Sequence, residues 1–257
     1  MKKKLRLKFD LYLKLKNGYM KNLLKPVILI SGLLFVQFAQ AQTLDEVINK
    51  HLEAMGGRQK IMTLTSALMT GTFATPGASV INIITTKKNM IGSRIDIDAN
   101  GVNNYQVITP ENGWIYTPIQ GDKAPRPLAE DQVKMGQVQL DLHGPFINYG
   151  EKRIKIEMAG KDTVNSSICY KLKVKSPNGN VTDYYIDNKS GFVIKTSTKI
   201  FQYGALEDFV TMYSDYRKNA DGFWFAYNIS NQRGETKYES ITTNIPVDEK
   251  IFKVKQA

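Results

Sequence analysis

After Ser66 the chain reads as short strands for most of its length, and in several of them apolar and polar residues alternate with a period of two. Ile154, Ile156 and Met158 alternate with Arg153, Lys155 and Glu157, and Leu172 and Val174 with Lys171, Lys173 and Lys175. That period puts apolar side chains on one face of an extended strand and charges on the other. It predicts strands near 67–74, 79–86, 90–97, 102–109, 114–117, 153–158, 168–175, 181–186, 193–199, 208–216, 223–229 and 237–243. Turn chemistry separates them, as in Pro110-Glu111-Asn112-Gly113, Pro177-Asn178-Gly179-Asn180, Asp221-Gly222 and Arg233-Gly234. Links this short make successive strands antiparallel neighbours. A sheet with one wet face must cover the other, by curling on itself or with helices.

Two segments break the period. Leu44, Val47, Ile48, His51, Leu52 and Met55 recur at helical spacing, with Thr43 and Glu46 as a capping box and Gly56-Gly57 as a stop. His51 sits in that apolar stripe and reads as a half-buried histidine satisfied by one hydrogen bond. The second break runs from Pro127 to Leu142, where Leu128, Val133, Met135, Val138 and Leu142 predict a helical insertion ended by His143-Gly144-Pro145. The fold class is therefore α+β, mainly β, and residues 42–257 read as one domain without repeats or low-complexity linkers.

The first 41 residues stand apart. Lys21 and Lys25, the apolar run Val27 to Val36, and Ala39-Gln40-Ala41 have the order of a secretory signal peptide. Cleavage would leave Gln42 first, with no Cys at that position to be acylated and no transmembrane anchor in the mature chain. A soluble periplasmic, or secreted, protein is expected. Residues 1–19 read either as sequence upstream of a start at Met20 or as an extended basic n-region.

The net charge of +11 changes meaning once divided. Residues 1–41 carry nine Lys/Arg against one Asp, whereas residues 42–257 carry 26 basic and 23 acidic side chains. An evenly mixed surface of net +3 makes no phosphate-tracking stripe, so no nucleic-acid partner is expected.

Motifs for chemistry are absent: there is no P-loop, no H-E-x-x-H, no G-x-S-x-G and no C-x-x-C. Two His and one Cys are too few for a Cys/His metal site. Cys169, between Ile168 and Tyr170, reads as a small core residue, and Asp141 with His143 has no nucleophile beside it. Asp96 and Asp98 share a strand face but fall short of a calcium shell. Neither an enzyme nor a cofactor is expected. Phe73, Trp114, Tyr116 and Phe225 fit two arrangements on the covered face, a filled core or an apolar cavity for an acyl chain.

The run from Thr43 to Gly57 (TLDEVINKHLEAMGG) resembles the opening helix of bacterial outer-membrane lipoprotein-sorting proteins, relatives of the periplasmic lipoprotein carrier of the Lol pathway. Gly113 to Pro118 (GWIYTP), Leu142 to Tyr149 (LHGPFINY), Tyr184 to Asp187 (YYID) followed by Gly191, and Pro246 to Phe252 (PVDEKIF) extend it over nearly all of the mature chain. The resemblance implies an incomplete, strongly curved antiparallel β-barrel whose apolar concave face is covered by helices. It implies a carrier that holds lipoprotein acyl chains or another lipid-like ligand and passes it to an outer-membrane receptor. The groove would be lined by Phe73, Trp114, Tyr116 and Phe225, with Leu128, Val133 and Met135 on a lid, and Arg94 is comparable to the basic residue that pins the lid in the carrier. The alternative is a non-catalytic envelope interaction module whose barrel is filled by its own side chains.

Overall fold

The strands follow one another as a meander and then return to their own beginning. In the computed structural model, which describes residues 42–77, 80–202 and 205–254, they form one antiparallel sheet of thirteen strands. The strands are β1 (Ser66–Ala74), β2 (Ile81–Lys88), β3 (Gly92–Ala99), β4 (Val102–Ile108), β5 (Gly113–Tyr116), β6 (Arg126–Pro127), β7 (Lys155–Val164), β8 (Ser167–Lys175), β9 (Val181–Asp187), β10 (Val193–Gln202), β11 (Ala205–Lys218), β12 (Trp224–Asn231) and β13 (Gly234–Thr243). Their order is 6-5-4-3-2-1-13-12-11-10-9-8-7, so first and last strands pair in the middle, and β6 and β7 are free edges. The sheet is a curved barrel left incomplete. The expected signal peptide lies outside the described residues.

All twelve expected strands are present, with shifted ends. The expected strand 153–158 runs on to Val164 because Asn165 and Ser166, both with positive φ (47° and 67°), make the β7–β8 turn. β6, two residues long, leaves no periodic trace. At Gly71 the β1–β13 register shifts, and a Cβ there would lie 2.1 Å from the Lys237 carbonyl oxygen. The backbone crossing at this seam needs a glycine.

Helix α1 (Leu44–Ala54) buries Val47, Ile48, His51 and Leu52, the stripe its sequence shows. It ends where Gly56 and Gly57 take φ of 106° and 90°, with the Gly57 amide donating to the Leu52 carbonyl. A short helix α2 (Arg58–Met62) follows, one turn too brief to register as a period. Val47, Ile48, Leu52 and Ile61 pack with Phe146 and Ile147 onto Tyr170, Leu172, Val174 and Ile186 of β8 and β9, forming the main core.

That core covers only part of the inner face. Thirteen strands spaced about 4.8 Å apart present a face roughly 60 Å across, whereas an 11-residue helix is about 16 Å long and 10 Å wide. The remainder, from β11 through β13 to β1 and β2, must be covered otherwise or left open.

The insertion between the two edge strands crosses this gap. It contains helix α3 (Glu130–Gln137), shorter than the expected 127–142 because the chain turns at 138–140. The Lys134 carbonyl accepts from Asn178 and Asn180 Nδ2 in the β8–β9 turn (3.3 and 3.2 Å), and Gln137 Nε2 donates to the Pro110 carbonyl in the β4–β5 turn (2.7 Å). The insertion thus ties one edge region to the other.

Candidate functional site

Side chains directly opposite in neighbouring strands point to the same face. Ala67 lies opposite Lys87, Lys87 opposite Ser93, Ser93 opposite Ile108, and Ile108 opposite Gly113. This row faces inward. The neighbouring row, Thr86, Arg94, Val107, Trp114 and Pro127, faces outward.

On the inner face, next to the α1 core, the structure leaves a cavity of about 290 Å³. Its walls are Tyr213 and Tyr216 of β11, Phe223, Trp224, Phe225, Ala226 and Ile229 in and beside β12, Tyr238 of β13, and Met69 and Lys87 of β1 and β2. Its cover is Met55, Ile61 and Leu64 around the two helices, with Gln139 and Leu142 from the insertion. A second compartment of about 250 Å³ shares Met55, Ile61, Leu142, Tyr213 and Tyr216 with the first and continues to His51, Phe146 and Tyr184. A surface groove of about 480 Å³, edged by the exposed Met90 and Val138, shares Asp141, His143 and Pro145 with the second compartment. Together the two inner compartments fall in the range of small-ligand sites. The loop 139–146 stands between them and the surface.

Polar latches hold this loop. Asn89 Oδ1 accepts from the Leu142 amide (2.9 Å), the Met90 amide donates to the Leu140 carbonyl (2.9 Å), and Lys152 pairs with Asp141 (2.6 Å). The His143 Nε2–H donates to the Leu64 carbonyl (3.0 Å), which fixes its tautomer. Asp141 and His143 are thus joined to structure and not to a nucleophile.

The aromatic wall is uncharged near neutral pH. Burial raises the Tyr184, Tyr213 and Tyr216 hydroxyls well above the ordinary tyrosine range. Phe192 stacks on Tyr216 at 4.2 Å and leans on Trp224, while the Tyr216 hydroxyl donates to the Val193 carbonyl (2.7 Å). His51 donates Nδ1–H to the Gly191 carbonyl (2.9 Å), and burial pushes it down to about 4, leaving it neutral.

Lys87 departs from this neutrality. It projects from β2 into the cavity, and among the described residues its amine has no hydrogen bond and no ion pair. The residue keeps partial access through the cavity it lines, but surrounding protein desolvates the amine and pulls it from 10.5 to about 8. Two residues back on the same face, Thr85 Oγ1 is buried without a hydrogen bond of ordinary geometry, the Tyr238 hydroxyl being its loose neighbour.

The residues expected to line the groove fall in three places. Phe225 lines the cavity. Leu128 and Val133 pack at Gly113 and Ile108, filling space beside β4 and β5, and the half-buried Met135 belongs to the same helix. Phe73 shares the inward phase of β1, opposite Ile81, beyond the cavity, and its ring covers Gly234. Trp114 and Tyr116 lie on the outer face, the first beside Phe252 and the second against Tyr105. Arg94 is also outside: it forks onto Asp96, covers the Tyr105 ring at 4.1 Å and donates to the Ile251 carbonyl (3.2 Å), holding the C-terminal 3₁₀ turn Glu249–Phe252 and making no bond to α3. Cys169 is fully buried against Val164 and Tyr185.

The sequence reading missed Lys87, Tyr213, Tyr216 and Trp224. A signal for Lys87 existed: Lys87 and Lys88 are adjacent in a strand, so one of them has to face inward, and Ile81 and Ile83 set which phase does.

No protein-family model matches the sequence, and no curated protein is significantly similar to it. Solved structures share the fold. A LolA superfamily protein from Nitrosomonas europaea superposes with a TM-score of 0.53 at 14% identity, covering 83% of this chain and 98% of its own. A domain assigned to outer membrane lipoprotein sorting, from Vibrio parahaemolyticus, gives 0.53 at 13%, covering 80% and 97%. A DUF1329 family protein from Desulfovibrio piger gives 0.54 at 11%, covering 80% and 97%. The architecture implied by the sequence resemblance is the one these structures share.

Proposed function

We propose that the protein is an exported, periplasmic carrier that holds the acyl chain of a lipid-like ligand in the cavity beneath loop 139–146 and delivers it towards the outer membrane, without covalent chemistry. The observation that carries this reading is the pair of adjoining compartments that share Met55, Ile61, Leu142, Tyr213 and Tyr216, the first of them also walled by Trp224 and Phe225. The names of two structural neighbours, a lipoprotein-sorting domain and a LolA superfamily protein, support it by analogy of fold. No helix among the described residues is long and apolar enough to cross a membrane. Entry runs past Asp141, His143 and Pro145, whose loop is held by a few polar latches and so opens at less cost than a sheet strand. An outer-membrane receptor would receive the ligand as that loop opens.

Each methylene transferred into such a cavity contributes about 0.8 kcal/mol, so affinity should rise about fourfold per methylene until the cavity is full. Ala226 supplies the test, because it is the smallest residue lining the cavity and pairs with Tyr216 across β11 and β12. In Ala226→Phe the ring should occupy the void, weakening binding of a twelve-carbon acyl probe at least tenfold while the melting temperature holds or rises. Calorimetric titration of both proteins with an acyl series decides. Unchanged affinity in Ala226→Phe, or affinity independent of chain length, would refute the carrier reading.

A further inference from the structure

We infer that the cavity selects a ligand with a monoanionic carboxylate head, a free long-chain carboxylic acid, which Lys87 holds by its ammonium group. This rests on the acyl-carrier reading and narrows it. A lipoprotein's acyl chains end in uncharged ester and amide groups, whose carbonyls can accept a hydrogen bond from a buried cation but bring it no counter-charge.

Three observations converge. The Lys87 amine stands in a lining that is aromatic and aliphatic apart from the neutral Gln139 amide and the tyrosine hydroxyls, and no acidic residue lines that compartment. It has no partner among the described residues, although buried ammonium groups are ordinarily paired. Thr85 Oγ1, on the same face of the same strand, makes no hydrogen bond of ordinary geometry, and its one polar neighbour, the Tyr238 hydroxyl, is held only loosely. One ammonium, with the Tyr238 hydroxyl and the Gln139 amide in the same lining, matches the single charge and the lone pairs of a carboxylate. A phosphate dianion would bring a second charge that nothing in this compartment neutralises. The tail then runs along Tyr216 and Trp224 into the second compartment.

The charge is available where it is needed. Desolvation leaves the Lys87 amine titrating near 8, so it is mostly protonated at neutral pH. The other titratable groups facing the compartment are Tyr213, Tyr216 and Tyr238, all pushed upward by burial and neutral throughout this range.

The test is calorimetric titration at pH 7 with laurate, methyl laurate and dodecyltrimethylammonium, on wild type, Lys87→Met and Lys87→Arg. Wild type should bind laurate at least tenfold more tightly than the ester, and the cation most weakly. Lys87→Met should lose the preference for laurate with ester affinity unchanged, and Lys87→Arg should keep part of it. Raising the pH from 7 to 10 should erode the preference in wild type alone. If laurate and ester bind wild type saturably and equally, the head-group inference is overturned and the carrier reading stands. If none of the three binds, the carrier reading itself fails, and the head-group inference with it.

Discussion

Replacing Lys87 by Met should stabilise the free protein by roughly 2–3 kcal/mol near neutral pH and raise Tm by about 5–10 °C. The sign follows from the amine's depressed titration. In the unfolded chain the amine is ordinary, near 10.5, and in the folded cavity it falls to about 8. The folded state therefore disfavours the protonated form, and below pH 8 it bears the full cost of a desolvated, unpaired cation. As pH rises from about 8 to 10.5 the unfolded state binds more protons than the folded one, so this cost is relieved. The stability gap between the variant and wild type should be widest at pH 7 and nearly gone at pH 10.5. Scanning calorimetry at the two values checks it, and a less stable Lys87→Met at pH 7 would show that the amine has a structural partner. A group that costs the free protein stability and recovers it only beside an anion is what a binding site, and not a core, would contain.

Acid should act through His51. Its imidazole is buried, donates to the Gly191 carbonyl, meets Phe146 edge-on at 5.0 Å, and titrates near 4 instead of 6.5. Between those two values the unfolded chain holds the extra proton, so stability is fully present above about 6.5 and falls as pH drops towards 4. The loss from this residue is roughly 3 kcal/mol in all. In His51→Gln the amide can still donate to Gly191 but cannot charge. Urea unfolding at pH 7.5 and 4.5 should therefore show a markedly smaller decline in the variant. Equal declines would place the acid sensitivity elsewhere.

The sheet was legible because period-two alternation is local and most links are short. The start of β7 (Lys155, Glu157) and the end of β8 (Lys171, Lys173, Lys175) carry charge on every second residue, so their inner and outer faces are plain from the sequence. β5 (Gly-Trp-Ile-Tyr) offers no polar phase. Its face is set by pairing with β4, where Ile108 meets Gly113 and pushes Trp114 and Tyr116 outward. That is a register fact, invisible to composition. The α1 stripe and the Gly56-Gly57 stop were equally readable, whereas α2 and β6 are too short to carry a period. The cavity was legible as a possibility only. Its existence depends on how little of a thirteen-stranded face two short helices can cover, and its position on where loop 139–146 crosses. Arg94 with Asp96, two apart in β3, was readable as a same-face pair; its role in holding Ile251 joins residues 157 positions apart.

An acyl chain should enter the cavity beside Trp224 and stay away from Trp114 on the outer face. Quenching by a bromine-labelled long-chain fatty acid reports contact with one tryptophan at a time. In Trp114→Phe, which retains Trp224 alone, fluorescence should fall saturably with one fatty acid per protein. In Trp224→Phe, which retains Trp114 alone, it should hold. Equal quenching of both variants, or quenching of neither below the fatty acid's aggregation threshold, would contradict an acyl site on the inner face.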